Sequence, residues 1–326
     1  MQQRRSAVLA LAGCVLVGMA TLVAAQQPYP NKPIRIIVPL VPGGSTNNIA
    51  RLVGEKLREG LGQPVIIENR PGANSIVGTE AVARAAPDGY TVLVQSATHT
   101  IIPFVEPALP YDPIKDFAAV ASLARTRYVM LVHPSVPVKT VKDLIAHAKA
   151  HPGVLNFGSS GSSSGSRLAG EVFNMLAGVE MKNIPYKGSG QMQVDLLAGR
   201  IQVSFSSTLV AAPLVNSGKL TGLAISGENR LSLMPQVPTF IESGLPAFNE
   251  QAWFGMFAPA ATPKPVVDRL SNEIARMQSG PEVRDFFEKQ GLESLIMTPE
   301  QFTAFLKADV TKLAKLVKTA NLKFDD

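Results

Sequence analysis

A single cysteine, Cys14, cannot close an internal disulfide, and no grouping of it with the four histidines has zinc-finger spacing. A disulfide scaffold and a cysteine-rich metal site are therefore excluded. Excess charge is also missing. The 31 Lys plus Arg stand against 25 Asp plus Glu, a net +6, and Arg4 and Arg5 lie in a segment expected to be removed, which leaves +4. Without a basic cluster that is too slight to mark a nucleic-acid surface. The chain lacks both G-x-x-x-x-G-K-S/T and G-x-G-x-x-G, so the usual nucleotide loops are absent. After residue 26 no uncharged apolar run approaches the roughly 20 residues that span a bilayer, and there is no repeat of a solenoid's period.

What is present is the composition of an ordinary α/β protein, 46% apolar over 326 residues, long enough for about two domains. The N-terminus reads as an export signal. Arg4 and Arg5 precede an uncharged, Ala- and Gly-rich run from Ser6 to Ala25, and Val23-Ala24-Ala25 forms a small-residue cleavage site before Gln26. Two rivals stay open: Leu11-Ala12-Gly13-Cys14 matches a lipoprotein cleavage site, and Arg4-Arg5 a twin-arginine pair. The mature protein is expected to be soluble and outside the cytoplasmic membrane.

Beyond the signal, short apolar strands alternate with amphipathic helices. Ile34 to Leu40 is a continuous apolar run, followed by a helix carrying Ile49, Leu52, Val53 and Leu57 on one face, and by strands at Val65 to Glu68 and Tyr90 to Gln95. After the Pro-rich stretch 103–113 the pattern predicts a strand at Tyr128 to His133 and a helix from Thr140 to His151 opened by Thr140 with Asp143 three residues on. It continues with strands at Leu155 to Gly158, Ile201 to Phe205 and Leu220 to Ser226, and a helix from Ser166 to Leu176. A second Pro/Gly-rich passage, 235–246, leads through Trp253 to Pro259 into helices at Val266 to Met277, Glu282 to Lys289 and Pro299 to Thr319. This rhythm implies parallel sheets.

Ligands of such sheets bind beyond the carboxyl ends of the strands. Four of these ends are rich in small polar residues: Gly43, Gly44, Ser45, Thr46 and Asn47; Ser96 and Thr98; the tract 158–166 with Ser159, Ser163 and Ser164; and Ser204, Ser206, Ser207 and Thr208. Glycine lets backbone approach a ligand, and the free N–H groups of a helix's first turn attract anions. One such loop makes a turn; four together suggest a shared anion-binding cleft. Gly161-Ser162-Ser163-Ser164-Gly165 also satisfies G-x-S-x-G, but no histidine follows Ser163, as the hydrolase order requires. His147 and His151, four apart, sit beside Lys149 and before Pro152-Gly153 and read as a solvated helix end. Asp309, Lys312, Lys315 and Lys318 read as the wet face of the last helix. Trp253, Phe254 and Phe257 read as packing between domains.

Several collinear motifs carry a resemblance: Pro33 to Pro39, Pro42-Gly43-Gly44-Ser45-Thr46, Glu68 to Ala73, Ala86-Pro87-Asp88-Gly89-Tyr90-Thr91, Leu109 to Pro113, Leu168-Ala169-Gly170-Glu171, Pro185-Tyr186-Lys187-Gly188 and Trp253-Phe254-Gly255. Together they resemble the extracytoplasmic solute receptors of tripartite tricarboxylate transporters, the Bug-type family. The resemblance implies an α/β, type II-like periplasmic binding protein: two lobes with parallel-rich sheets, residues 26–126 and 250–326 in one and 127–249 in the other. It further implies a small carboxylate, or a related aromatic acid or amide, held between the lobes by backbone amides, hydroxyls and water, then delivered to a membrane permease. No catalytic residue, metal or cofactor is expected, and the chain is expected to be a monomer.

Four positions depart from the family's common pattern: Asn47 in place of Asp, Arg167 in place of His, Leu40 in place of an aromatic, and Ser206 in place of a frequent Asp. The first removes an anion and the second adds a fixed cation, which together favour a more anionic, or at least non-amino, ligand if both side chains face the cleft. Arg167 thus joins the expected ligand-binding residues. A hydrolase and a binding protein that signals to a membrane sensor are the alternatives to a transport receptor.

Overall fold

The computed structural model describes residues 29–319. In chain order the elements are β1 (Ile34–Val38), α1 (Ser45–Leu61), β2 (Val65–Asn69), α2 (Ile76–Ala83), β3 (Thr91–Ser96), α3 (Thr98–Ile101), β4 (Phe117–Val132), α4 (Val141–Ala150), β5 (Asn156–Ser159) and α5 (Gly165–Ala177). There follow β6 (Lys182–Pro185), α6 (Ser189–Leu197), β7 (Val203–Ser207), α7 (Thr208–Asn216), β8 (Thr221–Ile225), β9 (Gln251–Pro259), α8 (Lys264–Ser279), α9 (Pro281–Gln290), β10 (Leu292–Glu293) and α10 (Pro299–Thr319). A short unit, Met1–Asn31, is described only at residues 29–31; all that follows concerns the larger unit, Lys32–Asp326. The proposed leader lies outside the described residues.

β1 is buried at every position but Arg35 because parallel strands flank it on both sides, β2 and β3, and α1 and α2 pack against it. α1 turns Ile49, Val53 and Leu57 inward at helical spacing and closes on Gly62, whose left-handed φ of 69° suits a residue with no Cβ. The expected capping box of α4 is present: Asp143 N donates to Thr140 Oγ1 at 3.1 Å, and Thr140 N donates to Asp143 Oδ2 at 3.0 Å.

The strands run in the order β2-β1-β3-β9-β4-β7-β5-β6, with β8 and β10 each paired to β4. The outer strands on either side are parallel, as the rhythm implied, but the middle is antiparallel. β4 pairs with β9 over Phe117 to Arg127, then hands over to β7 and β8 at Tyr128, so one 16-residue strand serves both sheets. The sequence pattern reached only the second part of it, from Tyr128. Small residues such as Ala118, Ala119, Ala121 and Ala124, buried or nearly so on both faces, carry no alternation, and register shifts near Ala119 and Ser122 break what period there is. Asp309 also departs from its expected solvent-facing role. Its Oδ2 accepts from Thr100 Oγ1 at 2.7 Å and from the Trp253 indole N–H at 3.3 Å, pinning α10 to the first sheet.

Candidate functional site

Four helices begin at one cavity. Gly44 and Ser45 open α1, Gly165 and Ser166 open α5, Gly188 and Ser189 open α6, and Ser207 stands at the start of α7; all line one partly open cleft. None of Gly44, Gly188 and Ser207 caps its helix with a side-chain hydrogen bond. Three first turns thus keep N–H groups for some other acceptor. Each N-terminus is equivalent to roughly half a positive charge. Among the described residues no Asp, Glu, Lys, Arg or His lines the cavity. The field is therefore that of the backbone, and its sign favours an anion.

The walls come from both sheets. Leu40, Gly44 to Asn47, Ser96, Ala252 and Phe254 face residues of the second sheet and its helices, including Tyr128, Ser160, Met192, Phe205, Ser206 and Val210. Hydrogen bonds cross the gap: Ser45 Oγ lies 2.7 Å from Ser207 Oγ, Ser45 N donates to Ser189 Oγ at 3.4 Å, and Val41 N donates to Lys187 O at 3.3 Å. Asn74 crosses beside them, donating from Nδ2 to Ser163 Oγ at 2.7 Å. It does so from a left-handed stretch of three non-glycine residues, Ala73, Asn74 and Ser75, with φ of 41°, 54° and 79°. Such backbone persists only where its surroundings enforce it. Burial drives the Tyr128 hydroxyl far above the ordinary phenol range, and Glu250 adds to the effect, so it remains a neutral donor.

Of the residues expected from sequence, Gly44, Ser45, Thr46, Asn47, Ser96, Ser206 and Ser207 meet on this wall. Gly43 instead makes the exposed turn before it, at φ 92°. Thr98 supports the wall through Ser96, hydroxyl to hydroxyl at 3.2 Å. Ser159 and Ser164 both bond to Gly161 O and shape their loop, and Ser163 is occupied by Asn74. The position of a hydrolase base beside Ser163 is thus held by an amide. Arg167 is 2% exposed and turns toward Glu171, 3.7 Å away, and toward Ser162 O; burial pushes the Glu171 carboxyl up even against that cation. Asn47 is clamped at both ends, accepting from Arg51 Nε at 3.1 Å and donating to Asn69 Oδ1 at 3.0 Å, while Asn69 donates to Leu40 O. Among the described residues no three His, Cys, Asp or Glu side chains group as metal ligands.

A comparison decides what kind of cleft this is: residues 49–322 match the model of the tripartite tricarboxylate transporter family receptor. The chain belongs to this family. BugT of Bordetella pertussis is 34% identical over 308 residues, 94% of each chain. A Rhodopseudomonas palustris protein solved with adipate is 31% identical with a TM-score of 0.87, covering 90% of this chain and 98% of that one. MatC from the same species, solved with bound malate, is 30% identical with a TM-score of 0.84, covering 89% and 100%. The family is one of periplasmic solute-binding receptors, not of enzymes, and its fold is the two-lobed α/β binding protein. Among the described residues no helix is long and apolar enough to cross a membrane.

The cavity is also lined by residues that the sequence pattern did not single out as ligand-binding. Tyr128, Gly188, Ser189, Met192, Phe205 and Val210 line the cavity, and so does Phe254, which had been assigned to packing. Gly188-Ser189 ahead of Met192 and Leu196, four apart and both buried, was the available signal for α6.

Proposed function

We propose that this receptor captures a small carboxylate in the cavity where the four helices begin and hands it to the integral-membrane permease of a tripartite tricarboxylate-type transporter. The lobes are residues 26–126 with 250–326, and 127–249; the handover of β4 at Arg127 and Tyr128 supports that division. The protein is exported through its leader, cleaved after Ala25, and acts as a monomer. The observation that carries the reading is the set of helix N-termini around a wall that, among the described residues, has no ionised side chain. A carboxylate there gains charge-assisted bonds to backbone N–H, about twice as strong as neutral ones. A thermal-shift screen of small acids tests it, since a ligand at 100 times its Kd stabilises the fold by about 2.7 kcal/mol. EDTA should leave that shift unchanged, and scattering should show compaction with the ligand. If no carboxylate raises the melting temperature, the proposal fails.

Asn47→Asp should weaken a bound acid tenfold or more. The substitution puts an anion on the wall and removes the donor to Asn69 Oδ1, so two oxygens face one another; turning Asn69 over sacrifices its bond to Leu40 O. Arg51 offsets only part of this. Calorimetry with one carboxylate on both proteins measures it, and an unchanged Kd would place Asn47 outside the ligand's reach.

A further inference from the structure

Asn74 joins loops of the two sheets away from the cavity. It lines the neighbouring depression instead, together with Ser160, Gly161 and Tyr186. Its amide grips Ser163 twice: Nδ2 donates to Ser163 Oγ at 2.7 Å, and Ser163 N donates to Oδ1 at 3.4 Å. Nδ2 also donates to Glu106 Oε1 at 3.5 Å. An anion beside Nδ2 and an N–H beside Oδ1 fix which way round the amide stands. The opposite loop makes room for it: Gly161 is at φ 141°, and a Cβ there would lie 3.0 Å from Asn74 Oδ1.

Both halves of this grip are built in advance. Ala73, Asn74 and Ser75 are left-handed, with Asn74 at φ 54° and ψ 41°, a region that asparagine enters more readily than most residues. Thr79 Oγ1 donates to Ser75 O at 2.8 Å and holds this turn. Across the cleft, Ser164 caps α5, and its N and Oγ both donate to Gly161 O, at 3.0 and 2.7 Å. A contact between two pre-set loops loses little conformational freedom as it forms. Left-handed backbone at three non-glycine residues costs free energy, and what it delivers is one amide across the cleft.

We propose that Asn74 is a latch: it closes on Ser163 when the lobes meet over a ligand and sets how long the ligand stays, without touching it. This rests on the two-lobed carboxylate receptor proposed above. A bond made only in the closed form slows opening, so its loss appears in the dissociation rate. The association rate, set by encounter with the open cleft, stays as it was.

Surface plasmon resonance on the immobilised mature protein tests this with malate, adipate, succinate, butyrate and benzoate, using every acid that binds. Asn74→Gly removes the amide and accepts the left-handed backbone at no steric cost. It should raise the dissociation rate about tenfold, the size expected for one to two neutral hydrogen bonds. The factor should be the same for every acid, with the association rate changed less than about twofold and the melting temperature of the ligand-free protein not lowered. Ser163→Ala should raise the rate by less, because the Ser163 N–H remains. The double variant should lose no more than Asn74→Gly alone. An unchanged dissociation rate, a change confined to association, or losses that multiply in the double variant overturns the latch and leaves the carboxylate reading standing. A factor that differs from acid to acid makes Asn74 a ligand contact and overturns the latch as well. If no acid binds the unmodified protein, the carboxylate reading falls and the latch with it.

Discussion

Gly44→Val should lower affinity for the receptor's carboxylate at least 100-fold while the protein keeps its secondary structure and melts within a few degrees of the unmodified chain. Gly44 sits at φ −100° and ψ 173°, extended backbone that any residue adopts, so no local strain follows. The obstacle is across the cleft. A Cβ at this position would lie 2.6 Å from Ser189 Oγ and 3.5 Å from Ser189 N, on the first turn of α6. The hydroxyl can rotate away; the backbone cannot. Valine's methyl groups therefore hold the starts of α1 and α6 apart, and the bonds of Ser45 to Ser189 and Ser207 go with them. A hundredfold loss is about 2.7 kcal/mol, the size expected when a ligand forfeits two charge-assisted bonds. Gly44→Ala, which asks only the hydroxyl to move, should cost about tenfold. Calorimetry and a thermal melt on both variants separate the two contributions. Wild-type affinity in Gly44→Val would mean that these two helix ends do not close around the ligand.

That prediction was only half accessible from the sequence. The run Ile34 to Val38, the glycine pair and the apolar period of α1 together announce a strand, a tight turn and a helix start, because each is a local property of the residues that form it. The capping box at Thr140 is of the same kind. The partner of Gly44 is not local. Ser189 lies 144 positions from Ser45, on a nine-residue helix with only Met192 and Leu196 buried, too short a period to stand out. α7 hides for another reason: Pro213 sits inside it, where a sequence reading expects a helix to stop. These two helices, which the pattern did not reach, both begin at the cavity. The polar strand ends were recognisable as a set, yet which serines face the ligand and which only shape a loop depends on turn geometry. Ser163 faces Asn74 rather than the cavity, and Ser166, at the end of the same tract, lines it. Asn47 and Arg167 share the same limit. Both are buried on the first turns of their helices, but only Asn47 reaches the wall, while Arg167 finds Glu171 one turn along its own helix.

Acid should destabilise the protein well before its carboxylates titrate, and His99 is the reason. Its ring stacks on Phe257 at 4.0 Å and meets Phe117 edge-on at 5.0 Å, with 2% of the residue exposed. Nε2 lies 2.7 Å from Pro113 O; since a carbonyl only accepts, Nε2 carries the proton and Nδ1 is left with a lone pair and no partner. Protonation would place a charge there among aromatic rings. Burial accordingly pushes the His99 pKa down to about 4, and the bond to Pro113 O only partly opposes it. Between the unfolded value of about 6.5 and about 4 the unfolded chain takes up a proton that the folded chain refuses. Stability is then full above the unfolded pKa and falls as the pH drops through that window. A difference of about 2.5 units corresponds to about 3 kcal/mol lost by pH 4. The depressed carboxylates Asp112, Asp143, Asp195, Glu242 and Glu300 add their losses mainly below it, and Glu171, raised by burial, works with the opposite sign. His99→Phe isolates the histidine. It keeps a ring between Phe117 and Phe257, and leaving Pro113 O without its donor is a penalty independent of pH. Urea unfolding at pH 7 and at pH 4.5 should show the wild type losing about 2 to 3 kcal/mol more than the variant across that interval. Parallel losses in the two proteins would mean that His99 protonates in the folded state, and that its ring reaches water.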